Sequence, residues 1–205
     1  KPLNKEFSSG PCAKRPNWKI TNLNNALIGR SHRAAISKIK IQKLIKLTKE
    51  ILKIPNDYLV GIVPGSDTGA VEMAMWNALG PKNISILVWE SFGKDWQKDL
   101  TEQLKITQIK IVSEDYGKLP NLSSIDFDDD VIFNWNGTTS GVCVPDSKWI
   151  DADRKGLTIC DMTSAAFAMK VDWKKIDFGT FSWQKCLGGE GGHGMIVLSP
   201  RAVDR

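Results

Sequence analysis

Nowhere in this sequence is there an apolar run of about eighteen residues, the length that a membrane-spanning helix requires. No membrane association is expected. The opening stretch, "KPLNKEFSSGPCAKRP", lacks the apolar middle of a secretory signal, so a cytoplasmic protein is the expectation. Cysteine is sparse: Cys12, Cys143, Cys160 and Cys186 are scattered, with no CxxC pair and no Cys/His cluster at zinc spacing. They read as reduced, partly buried thiols, and no metal is expected. The phosphate loop ending GK[ST] and the dinucleotide fingerprint GxGxxG are both missing. There are no internal repeats and no low-complexity tracts.

What is present is an ordinary globular composition, 41% hydrophobic and 25% charged, on 205 residues. That length suits one large domain or two small ones. The net charge of +5 is unevenly spread. Residues 1–55 carry 13 Lys/Arg against Glu6 and Glu50 alone. A basic segment can mark a nucleic-acid partner. Here, however, Lys38, Lys40, Lys43, Lys46, Lys49 and Lys53 interleave with Ile36, Ile39, Leu44, Ile45, Leu47, Ile51 and Leu52. That is the pattern of an amphipathic helix with a lysine-rich wet face. Arg-rich and aromatic stacking motifs are absent, so no nucleic-acid partner is expected.

Residues 1–31 read as irregular, and a helix is expected from about Arg33 to Leu52, before Pro55. Beyond it, apolar runs and helical patterns alternate. "YLVGIVPGS" reads as a strand and "TGAVEMAMWNAL" as a helix. "ISILVWES" follows as a strand, "GKDWQKDLTEQLKI" as a helix and "QIKIVSE" as a strand. "DVIFNWNGTTSG", "LTICDMTSAAFA", "FGTFSWQK" and "GMIVLSP" each contain a further strand. Such alternation implies an α/β fold, a three-layer α/β/α sandwich around a mainly parallel sheet. Asp128–Asp130 reads as an exposed, solvated acidic turn. Trp135, Trp173 and Trp183 read as packing residues, and His193 as structural.

In open α/β sheets, ligands collect beyond the carboxyl ends of the strands. Four distinctive turns fall there: "PGSDTGA", "NWNGTTSG", "DMTSA" and "SWQK". The first joins a strand to a helix, where free N–H groups favour a phosphate. It also reads as a plain turn with Ser66, Asp67 or Thr68 as N-cap. Asp161 ends an apolar strand, and a carboxylate there needs a partner. It could cap the following turn or hold a protonated ring nitrogen. Lys185 lies in "FSWQKCLGGEGGHG", with no charged neighbour before Glu190. A lysine among apolar neighbours is desolvated, its neutral form is favoured, and the amine becomes a nucleophile. Alone it would also read as a snorkelling strand-end lysine. Pyridoxal phosphate asks a protein for a Schiff-base lysine, a carboxylate for its ring nitrogen, a phosphate cradle and a group over the ring. This sequence has candidates for all four.

"FSSGPC", "SHR", "PGSDTGAVEMAMWN", "NGTTSG", "CDMTS" and "SWQKCLGGEGGHG" together make the chain resemble the phosphoserine aminotransferases, which are fold-type I pyridoxal-phosphate enzymes. The resemblance implies Lys185 as the Schiff-base lysine that later shuttles a proton. It implies Gln184 on the cofactor phosphate, Asp161 on the pyridinium N–H, and Thr138 near the ring hydroxyl. Backbone N–H groups of Asp67 and Thr68 would cradle the phosphate. Phe92 would stack on the ring, with Trp96 as second choice and Trp89 behind both. Ser9, His32 and Arg33 would meet the substrate, Arg33 through a bidentate carboxylate fork. Thr68 stands where the family usually has an arginine. The resemblance further implies glutamate and a phosphorylated 2-oxo acid as substrates, and a homodimer as the working form. It makes residues 32–205 the cofactor-binding large domain, without the family's C-terminal small domain. The alternatives are an alanine–glyoxylate type of aminotransferase, a cysteine desulfurase, or a catalytically incomplete fragment.

Overall fold

The computed structural model describes residues 16–205. Every strand read from the sequence forms. In chain order the elements are α1 (Ala35–Leu52), β1 (Leu59–Pro64), α2 (Ser66–Ala78), β2 (Ile84–Val88), α3 (Ser91–Lys98), β3 (Ile109–Ser113), β4 (Asp130–Asn134), β5 (Thr158–Asp161), β6 (Phe178–Ser182), β7 (His193–Leu198) and α4 (Pro200–Asp204). A π-helical stretch, Asp99–Gln103, prolongs α3.

The seven strands form one sheet in the order β1-β7-β6-β5-β4-β2-β3. The pairs from β6 across to β3 are parallel. β7 runs antiparallel to both its neighbours, β1 and β6. The connection from β6 to β7 contains no helix and returns directly, so the strand must reverse. β2, β4 and β6 are buried along their whole length, which fits the Ile, Leu, Val and Phe they carry, although Ser85, Asp130, Asn134, Thr180 and Ser182 are buried with them.

Alternation along the strands divides the core into two sides. Val131, Phe133, Met195 and Val197 face one side with Trp89, Trp135, Trp173 and Phe181. Ile132 and Ile196 face the other, against Ala70, Val71, Ala74 and Met75 of α2 and Trp96 of α3. The expected sandwich and packing tryptophans are therefore present, with Trp183 packed at the margin.

Three expectations need correction. The apolar residues of α1 do not form its buried face. Ser37 and Thr48 are buried, whereas Ile36, Ile39, Leu44, Leu47 and Ile51 are exposed. The helix turns the narrow stripe Ser37, Ile41, Ile45, Thr48 and Leu52 inward, away from most of its isoleucines. The acidic turn is likewise not wholly solvated. Asp130 is fully buried because Arg205 reaches it with two hydrogen bonds, at 2.8 and 3.0 Å, and the Leu157 N–H adds a third. Of the described cysteines only Cys160 is buried, while Cys143 and Cys186 are exposed. The first lies in the loop after β4 and the second just after β6, and both positions face outward.

Candidate active site

The four turns singled out in the sequence follow β1, β4, β5 and β6, all of which end at the same edge of the sheet. Between them lies a cleft lined by Ser66, Asp67, Thr68, Phe92, Trp96, Thr138, Asp161, Thr163, Gln184 and Lys185. All seven residues expected to meet the cofactor are in that set. Roomier grooves lie elsewhere, the largest along α1 and its C-terminal end, but they gather no comparable chemistry.

α2 begins on an unusual backbone. Gly65 and Ser66 both have positive φ, 81° and 61°. No side chain caps this helix, so the N-cap reading of Ser66, Asp67 or Thr68 does not hold. The chain instead packs tightly there. A Cβ on Gly69 would stand 2.3 Å from the Pro64 carbonyl oxygen, and one on Gly194 would stand 2.1 Å from that of Ser66. Glycine at both places lets β1, β7 and the first turn of α2 approach each other. The uncapped turn leaves its N–H groups to the cleft, where a helix N-terminus favours an anion.

Asp161 makes the local turn contact that the sequence left open. Its Oδ1 accepts the Thr163 N–H at 3.1 Å, a local turn cap. Its Oδ2 accepts the Trp96 indole N–H at 3.3 Å and lies on the cleft. Trp96 is thus buried edge-on to the acid, whereas Phe92 stands half-exposed on the cleft wall. Trp89 is buried and donates to the Val142 carbonyl, away from the cleft. Thr138 shares a 2.8 Å hydrogen bond with Ser164, tying the loop after β4 to the turn after β5.

Lys185 lies at the turn after β6, half-buried on the cleft wall. Gln184 beside it has a buried amide oxygen with no hydrogen-bond partner. The hydroxyls of Thr163 and Thr180 and Oδ1 of Asp67 are buried and unpartnered too. Such atoms cost free energy unless something completes them. They are concentrated where a polar ligand would do so.

His32 and Arg33 are not among the cleft residues. His32 borders a separate hollow with Ile62, Trp183 and His193, next to the Lys185 turn. Arg33 is exposed just before α1. Ser9 lies outside the described residues. His193 is exposed at the start of β7, where its carbonyl accepts the Ser182 hydroxyl. Among the described residues no His/Cys/Asp/Glu group could hold a metal.

Sequence reasoning missed two contributors. Thr163 was hidden in "DMTS", where its distance of two residues from Asp161 was the available signal. Glu90 was also missed. It is buried after β2 and accepts hydrogen bonds from the Gly93 N–H, the Asn134 amide and the Thr139 hydroxyl. No pattern in "WESFG" marks that role.

A sheet ordered in this way, with one reversed strand and its polar cleft at the shared carboxyl edge, is the large-domain fold of the fold-type I aminotransferases. In sequence the chain is similar to proteins named phosphoserine aminotransferase. It is 57% identical over 204 residues to the phosphoserine aminotransferase of Methanosarcina mazei, covering all of this chain and 55% of the relative. The crystal structure of a phosphoserine aminotransferase from Cytophaga hutchinsonii superposes with a TM-score of 0.76 at 27% identity, over 90% of this chain and 52% of that one. The pyridoxal-phosphate-bound phosphoserine aminotransferase of Trichomonas vaginalis shares the fold, with a TM-score of 0.79 at 19% identity, over 97% of this chain and 62% of that one. The chain spans about half the length of the curated relatives it matches. No family model matches it.

Proposed function

We propose that this chain carries the cofactor-binding domain of a pyridoxal-phosphate-dependent phosphoserine transaminase. The reaction moves an amino group between glutamate and 3-phosphohydroxypyruvate, in serine biosynthesis and, with a related phosphorylated hydroxy acid, in pyridoxine biosynthesis. The observation that carries the reading is the convergence of Lys185, Asp161, Phe92, Thr138, Gln184 and the uncapped start of α2 on one cleft. Identity of 57% to a protein of that name supports it.

The residues present fit the cofactor. When bound, its ring supplies an electron sink for the pair left when a substrate Cα loses its proton. Asp161 would hold the ring nitrogen's proton and keep that sink strong. Phe92 would cover one face of the ring and exclude water. Thr138 would orient the ring from the loop after β4. The N–H groups of Asp67 and Thr68, with the Gln184 side chain, would hold the phosphate. Lys185 would anchor the cofactor through Nζ and then take and return the proton at the substrate Cα. Ser9, His32 and Arg33 remain the proposed substrate contacts, with Arg33 as a fork for a carboxylate. A homodimer in the cytoplasm completes the reading. The exposed apolar row on α1 supports a buried contact in the assembled protein.

The test is an absorbance spectrum of the protein with added pyridoxal phosphate, for wild type and Lys185→Ala. A visible band that borohydride abolishes is expected in the wild type and not in the variant. Phosphoserine alone should then discharge the band, and 2-oxoglutarate should restore it. A band that survives Lys185→Ala would sink the assignment.

A further inference from the structure

We propose that Trp96 is a positioning residue for Asp161: its indole N–H, together with the Thr163 N–H, holds the Asp161 carboxyl in the plane in which it meets the cleft. The proposal rests on the reading of Asp161 as the partner of a ring N–H, but the tie itself is tested without a cofactor.

The two residues come together from different elements. Side chains alternate along β5, so Asp161 shares a face with Ile159, which lies on the side of the sheet that α2 and α3 cover. α3 is fixed at its start, where Glu90 accepts the Gly93 N–H at 2.6 Å. Phe92 and Trp96 stand four residues apart on that helix, hence on one face, and both line the cleft. Phe92 is 37% exposed and Trp96 only 3%. The first is open to a ligand. The second is packed into the core with Leu100, Ile132 and Ile159.

Burial makes an indole N–H costly unless it finds an acceptor. Trp89 and Trp173 send theirs to main-chain carbonyls, those of Val142 and Leu52. Trp96 sends its own to a side chain, Oδ2 of Asp161, at 3.3 Å. The Thr163 N–H reaches the other oxygen at 3.1 Å, from the turn that follows Asp161 itself.

A carboxyl held at one oxygen can still swing about its Cβ–Cγ bond, because that torsion has a broad minimum. Donors at both oxygens, from two separate elements, stop the swing. The indole is a donor only, so its role in the pair is fixed. A carboxyl oxygen accepts more than one hydrogen bond, so Oδ2 keeps room for a ring N–H. Removing the indole N–H while keeping an aromatic ring should therefore loosen the aim of Asp161 and leave most of the packing in place.

Indole 1H–15N signals of the cofactor-free full chain test the tie. Trp96→Phe identifies the Trp96 signal by its loss. Asp161→Asn should shift that signal further than any other indole signal, and a Trp96 signal that stays in place overturns the proposal. Cofactor titrations test the consequence, with pyridoxal phosphate and with its analogue carrying carbon in place of the ring nitrogen. Trp96→Phe should weaken pyridoxal-phosphate binding about tenfold, near the upper worth of one hydrogen bond, and leave the analogue's affinity unchanged. Equal losses for both compounds would show that Trp96 only packs, and the positioning role would be overturned. Should Trp96→Phe fail to fold, wild type and Asp161→Asn still decide, by whether one indole signal moves beyond the rest. A wild-type protein that binds neither compound would overturn the cofactor reading instead, and the indole signals would still decide the tie.

Discussion

Glu90 and Asn134 meet side chain to side chain at 2.7 Å, at the ends of the adjacent strands β2 and β4. The same Glu90 oxygen accepts the Gly93 N–H at 2.6 Å, which caps α3, and the other accepts the Thr139 hydroxyl at 3.1 Å. One buried carboxylate thus fixes the helix that bears Phe92 and the loop that bears Thr138. All its neighbours are donors. Glu90→Gln must turn an NH2 group toward at least one of them. A loss of about 1–3 kcal/mol is expected, the cost of a buried group left unpaired. Cofactor binding should weaken as well, since the two walls of the cleft lose their common tie. Urea unfolding and a pyridoxal-phosphate titration measure the two effects. A variant as stable as wild type would show that Glu90 is not the tie.

The ion pairs separate by burial. Asp130 and Arg205 have side-chain exposures of 0% and 14%, whereas Lys155 and Asp128 meet at 70% and 57%. Removing one partner of a buried pair strands the other charge. Arg205→Ala should destabilise the fold by about 3 kcal/mol, near the low end for such losses, because the Leu157 N–H still serves Asp130. Lys155→Ala should cost nothing measurable, since solvent and salt already screen that pair. Chemical denaturation of both variants gives the comparison. Equal effects would contradict the argument.

The sequence displayed strands and motif turns because both are local properties. β2, β4 and β6 are buried on both faces and carry Ile, Leu, Val or Phe, and these strands were readable without a partner in view. The cleft was readable because "SWQK", "DMTSA" and "PGSDTGA" each follow such a run. Relations between distant segments were not readable. The burial of Asp130 depends on Arg205, 75 residues away. The inward face of α1 depends on which stripe β1 offers it, and hydrophobic spacing alone chose the wrong one. The reversal of β7 lay between these cases, since the short glycine-rich connection after Lys185 leaves no room for a crossover helix. The side chain of Asp67 looked like a cap, and only the folded start of α2, where Gly65 holds the cap position and no side chain caps the helix, shows otherwise.

Tyr58 gives a prediction at alkaline pH. Its hydroxyl donates to the Trp173 carbonyl at 2.7 Å beneath the sheet. Burial pushes its pKa from 10.0 up to about 12, and the Asp177 charge adds to the shift. The folded protein therefore holds the phenol neutral where the unfolded chain would ionise it. The contribution is fully present below pH 10 and is lost as pH rises toward 12. Tyr58→Phe should cost about 1 kcal/mol at pH 8, the net worth of one hydrogen bond whose acceptor is left behind. Above pH 10 the variant escapes the penalty of a buried ionising phenol, so the gap from wild type should narrow and then reverse. Stability of both proteins across pH 8–12 measures this, with ultraviolet absorbance following the phenolate. A gap that stays constant, or a Tyr58 phenolate signal that rises at its ordinary pH, would mean that the hydroxyl is solvated and not held against Trp173.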